Sequence, residues 1–165
     1  MLQLIIFDKD GVILDLQATW LPVAQAVAAH TVTLIPTIDA AMSKITTSDL
    51  LHAIGVDDLC GHIDPKGIFA TGSFAQMRAK WQAMLPPQMI DLEHDRAYRD
   101  AVQTIVHEQT RQTTKAKGDV VTPLHALYQD GYQLALVTND SESSARQSLD
   151  DLGIADLFCA IVGAD

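Results

Sequence analysis

Apolar residues first gather at residues 2–7, and the run stops abruptly at Asp8-Lys9-Asp10. A short apolar run of this kind predicts a parallel strand covered on both faces. Gly11 follows and permits a tight turn. From residue 16 to 117 the pattern becomes mostly helical. Trp20, Val23, Ala24, Val27 and Ala28 recur at helical spacing. A second helix is expected after Pro36, capped by Thr37 and ending near Gly55. Gly61, Pro65, Gly67 and Gly72 predict a loop over 60–72. Ser73 then caps a helix running to about Met84, stopped by Pro86-Pro87. A longer helix is expected from Asp91 to Thr114, burying Ala97, Val102, Ile105 and Val106. After Gly118 the grammar changes. Thr122-Pro123 reads as an N-cap with proline at the first helical position, and Gly131 as the stop. Leu134 to Val137 form a second buried strand, Asn139-Asp140-Ser141 open a helix ending at Gly153, and Cys159 to Val162 form a third strand. The order is strand, large helical insertion, helix, strand, helix, strand, which is an α/β core interrupted after its first strand.

Composition adds exclusions. The 165 residues carry 21 acidic and 11 basic side chains, a net charge of −10. With 48% hydrophobic and 19% charged residues, wholesale disorder is excluded. The acidic balance argues against nucleic acid or an anionic membrane as the main partner, because both need basic surface. Cys60 and Cys159 stand far apart and form no disulfide framework, so a cytoplasmic location is expected. The apolar start has no basic leader and is too short for a signal core or a bilayer span.

Two segments carry candidate chemistry. Asp8 and Asp10 fall at the carboxyl end of the first strand, where open α/β sheets bind ligands. Two carboxylates that close can differ in protonation, one serving as an ionised nucleophile and the other as a proton donor. The pair alone fits a solvated turn equally well. Thr138 and Asn139 sit at the end of the second strand. A hydroxyl and backbone N–H groups at a helix start can cradle phosphate; taken alone, these residues read as a strand end and a helix cap.

Together the segments resemble the haloacid dehalogenase-like hydrolase superfamily. Phe7-Asp8-Lys9-Asp10-Gly11-Val12-Ile13-Leu14-Asp15 matches its first motif, and Leu136-Val137-Thr138-Asn139 its second. Leu149 to Val162 is similar to the segment that follows in phosphoglycolate-phosphatase-like members. The resemblance implies a Rossmann-type parallel sheet core at 1–15 and 118–165, with residues 16–117 as an inserted helical cap domain. It further implies phosphoryl transfer from a small phosphorylated metabolite: Asp8 as nucleophile, Asp10 as acid and base, and Thr138 and Asn139 on the phosphoryl oxygens. Mg²⁺ would be held by the Asp8 carboxylate and the Asp10 main-chain carbonyl. An acid at position 10 favours phosphate chemistry over dehalogenation.

Family members continue into a third motif with a lysine and a fourth with further acids. Neither occurs before Asp165, and Lys115 and Lys117 precede the second motif. The expectation is therefore a C-terminally truncated member with impaired turnover, whose first strand is an apolar edge that invites self-association. A phosphomutase using the same chemistry and a non-catalytic remnant acting by association are the alternatives; a phospho-acceptor receiver domain fits the large insertion poorly. His52, Cys60 and His62 with Asp57 and Asp58 match no common zinc signature. Arg78 and Lys80 read as a solvated helix face, with Lys66 as a further candidate for meeting substrate charge. Trp81 and Met84 read as core.

Overall fold

The computed structural model describes residues 3–35, 45–86 and 90–164. It divides into two compact units, Met1–Trp20 with Thr110–Asp165, and Leu21–Gln109.

The first unit is built on a parallel sheet in the order β1-β4-β5, where β1 is Leu4–Phe7, β4 Gln133–Val137 and β5 Phe158–Val162. Ile5 pairs with Leu134 and Phe7 with Leu136; on the other side Leu136 pairs with Ile161. Strand periodicity sends alternate side chains to opposite faces. One face collects Leu134, Leu136, Phe158 and Ile161, with Ile5 and Phe7 packed against them. Helix α6 (Val121–Gln129) adds Leu124 to this core, and α7 (Glu142–Asp151) adds Ala145 and Leu149. The rings of Phe7 and Phe158 meet edge to face with centroids 6.3 Å apart.

The opposite face differs from expectation. Leu4 is 53% and Ile6 60% exposed, and Val137 and Val162 are also exposed. The apolar run predicts burial on both sides, but within the described residues only one face of β1 is covered. Hydrophobicity states what a strand requires and cannot supply the layer that meets the requirement.

Helix caps explain several boundaries. Helix α1 (Leu16–Thr33) buries Trp20, Val23, Ala24, Val27 and Ala28 as a single stripe. Pro36 and Thr37, the expected start of the second helix, lie outside the described residues. Helix α2 (Thr47–Ala53) begins at a capping box formed by Thr46 and Asp49. Gly55 follows with φ of +86°, and a Cβ there would lie 2.8 Å from the Cα of Gly67. The expected loop over 60–72 contains structure. Strands β2 (Val56–Asp57) and β3 (His62–Ile63) form a small hairpin, and α3 (Ile68–Thr71) is a single turn. Elements of two to four residues are too short to show a period.

Ser73 caps α4 (Phe74–Gln82) through a reciprocal box with Gln76. Helix α5 (Arg96–Thr113) starts five residues later than expected. Asp91 spends its carboxylate on the amides of Glu93 and His94, and Asp95 receives the amide of Tyr98. Tyr98, not Ala97, is the buried residue of the first turn, while Val102 is buried as expected. At α6 the amide of Thr122 is capped by Asp119, so Thr122 and Pro123 lie inside the first turn. Gly131, with φ of +87°, ends that helix. Among the described residues no helix is long and apolar enough to cross a membrane.

Candidate active site

The parallel pairing of β1 and β4 places the two candidate segments at the same end of the sheet. Asp8 leaves the tip of β1 one residue beyond the Phe7–Leu136 pair, and Thr138 leaves the tip of β4 two residues beyond it. Gly11, at φ of +81°, turns the chain immediately after Asp10, while the amides of Ile13 and Leu14 donate to the Lys9 carbonyl. Such a closed turn holds the acidic pair against the strand ends. Lys117 extends its ammonium to the Gly11 carbonyl, on the outside of the same turn.

The two acids occupy unlike surroundings. Asp8 is exposed, accepts the amide of Lys9 at 2.8 Å, and forms no ion pair among the described residues. Asp10 is only 22% exposed at its side chain. Its Oδ1 accepts the indole N–H of Trp20 at 2.5 Å, and its Oδ2 lies 3.4 Å from the Lys9 ammonium. Burial raises the Asp10 carboxyl above the ordinary carboxylate value, against the lowering influence of Lys9 and Trp20.

That shift fixes the sign of a pH effect. Between the unfolded and the raised folded value, the folded state binds more protons, so stability falls as pH rises through that window. Above it the full penalty persists. In urea unfolding from about pH 4 to about pH 7, the wild type should lose stability relative to Asp10→Asn as pH rises. A pH-independent difference between the two proteins would contradict the assignment.

Thr138 is buried, and its Oγ1 accepts the amide of Asp140 at 3.2 Å. Asn139 is exposed. The start of α7 departs from the expected open cradle. The amide of Ser141 donates to Asp140 Oδ1 at 2.8 Å, and that of Ser144 to Ser141 Oγ at 3.2 Å. Side chains therefore already serve part of the helix terminus, where Asp140 and Glu142 supply negative charge at the dipole.

Three participants escape sequence reasoning. Lys9 is fully buried, with its ammonium 2.5 Å from Asp140 Oδ2 and 5.0 Å from the centroid of the Trp20 ring. Asp140 also receives the hydroxyl of Ser144 at 2.7 Å. A lysine between two aspartates at a strand end is the only trace of this arrangement in the sequence. Asp140 and Trp20 read as a helix cap and a core position.

In the second unit, His52 Nε2 lies 3.5 Å from Asp58 Oδ1 and 3.9 Å from Asp57 Oδ1. Ser48 donates to Asp58, and the Cys60 thiol donates to Asp57, lowering that carboxyl and raising the thiol. Arg78 is half-buried and Lys80 exposed, Trp81 is fully buried, and Met84 is half-buried.

The sheet order and the acidic turn beside the Thr138 tip define a Rossmann-type parallel α/β core, a class whose ligands bind outside the carboxyl ends of the strands. The model of the haloacid dehalogenase-like hydrolase family matches residues 5–165, and the chain belongs to that family. Solved structures agree on the fold. A haloacid dehalogenase-like family hydrolase from Streptococcus pneumoniae superposes with a TM-score of 0.59 at 16% identity, over 99% of this chain and 62% of its own. A predicted phosphoglycolate phosphatase from Haemophilus somnus gives 0.56 at 19% identity, over 99% and 63%. A subfamily IA hydrolase from Geobacter sulfurreducens gives 0.54 at 16%, over 99% and 63%. The chain thus spans less than two thirds of the length of these relatives. No curated protein matches it.

Proposed function

We propose that this chain carries the nucleophile and acid of a Mg²⁺-dependent phosphatase acting on a small phosphorylated metabolite in the cytoplasm. The contrast between the two acids carries this reading: Asp8 is exposed and forms no ion pair among the described residues, while Asp10 is largely buried, which raises its carboxyl above the ordinary carboxylate value. An Asp8 oxygen attacks phosphorus as the ester P–O bond breaks, and Asp10 gives its proton to the departing oxygen. Asp10 then takes a proton from water as that water attacks the aspartyl-phosphate, releasing phosphate and restoring Asp8. Thr138 and Asn139 orient the phosphoryl oxygens. Residues 1–15 and 118–165 act as the core and residues 16–117 as the cap domain.

The donors available for a cation are oxygens, the Asp8 carboxylate and the Asp10 carbonyl, which suit a hard ion such as Mg²⁺. When bound, Mg²⁺ supplies charge neutralisation at the phosphoryl oxygens. Turnover of p-nitrophenyl phosphate with Mg²⁺ tests the reading. Asp8→Asn should reduce the rate by about 10³-fold or more, the scale of losing a covalent nucleophile. Equal rates in the two proteins would refute it.

The exposed Leu4, Ile6, Val137 and Val162 favour a second reading, in which the chain also acts through association of its sheet face with another copy. Light scattering should then show a species of at least twice the 17.9 kDa chain mass. Replacing Ile6 by lysine should return it to the monomer, and a wild-type monomer at all concentrations would dismiss this reading.

A further inference from the structure

We infer that Lys9 and Trp20 are positioning residues that fix the Asp10 carboxyl from both sides. The inference rests on the phosphatase reading for its catalytic consequence but not for its geometry. Each Asp10 oxygen has its own partner: the Trp20 indole N–H at Oδ1 and the Lys9 ammonium at Oδ2. A carboxyl held at both oxygens has a defined plane, whereas one held at a single oxygen can swing about that contact.

The two partners are themselves immobilised. Lys9 is fully buried and bonded to Asp140, which is anchored in turn by Ser144 and by the amide of Ser141. The Lys9 ammonium also lies over the Trp20 ring, so each partner restrains the other. Trp20 belongs to the stripe of α1 and is itself largely buried. The acid at the tip of β1 is thus tied to the start of α1 and to the loop leaving β4. Lys9 is fully buried and Trp20 nearly so, and both act on the reaction through the orientation of Asp10.

The chain has two tryptophans, so its proton–nitrogen spectrum has two indole signals. The one missing in Trp20→Phe belongs to Trp20. In Asp10→Ala that signal should move upfield and exchange faster with water, as expected when a charged acceptor is lost; the isosteric Asp10→Asn should move it in the same direction by less. Lys9→Met should shift it as well, and Lys9→Arg should restore most of the wild-type position. An unmoved Trp20 signal in both Asp10 variants overturns the proposal, whatever the protein's activity.

Kinetics test the consequence. Trp20→Phe should lower kcat for p-nitrophenyl phosphate by about 10- to 100-fold, the scale of a small misplacement of a reacting group. KM should change little, and Lys9→Arg should retain more kcat than Lys9→Met. Unchanged kcat in Trp20→Phe overturns the positioning role. Shifts as expected, in a chain whose turnover is indifferent to Asp8→Asn, would uphold the clamp and remove the phosphatase reading instead.

Discussion

Lys9→Met is expected to destabilise the first unit by about 3–5 kcal/mol, the cost of removing one member of a buried ion pair. The ammonium has no exposure, and its partner Asp140 is 11% exposed at the side chain. Removing the cation leaves the Asp140 and Asp10 carboxylates facing one another in a poorly solvated space, each losing a charge-assisted contact. Asp140 keeps the Ser144 hydroxyl and the Ser141 amide, which compensate only in part. Most of the loss arises from the stranded anions and little from the lysine's own attraction, which burial offsets. Pairing Lys9→Met with Asp140→Asn should therefore recover part of the stability. Urea unfolding followed by circular dichroism provides the comparison. A single-variant loss below about 1 kcal/mol, the scale of an exposed pair, would show that the lysine is solvated.

Trp81→Ala should cost a similar amount, about 3–5 kcal/mol, and should act in the second unit. The indole is fully buried in α4 and donates to the Leu50 carbonyl of α2 at 2.8 Å. Truncation opens a cavity among apolar neighbours and strands a carbonyl away from solvent. The two costs share one site and will not add simply. Trp81→Phe keeps most of the volume but loses the donor, so it should fall between alanine and wild type. Equal stability for phenylalanine and wild type would mean that the hydrogen bond contributes nothing.

The sheet and its acidic tip were legible for physical reasons. Short apolar runs at Leu4–Phe7, Leu134–Val137 and Cys159–Val162 are inexpensive to bury only as strands beneath helices; the first two end at a polar break and the third at Gly163. The helix beginnings were harder to read. Asp91, Asp95 and Asp119 direct their carboxylates at amides a few residues downstream, and a sequence does not reveal which acid a given amide will find. The hairpin at Val56–Ile63 and the single turn at Ile68–Thr71 are too short for any periodic signal.

What the chain's residues decided unaided is the order of the strands and helices of the α/β core and the presence of two acids where a strand stops, because burial periodicity and turn chemistry act over a few neighbouring positions. Only tertiary structure decided that Lys9 turns inward to Asp140, 131 residues away, and that Trp20 reaches back to Asp10. Those contacts depend on parallel registry and on the burial of charge, which are set when separate segments meet and are not encoded in either segment alone.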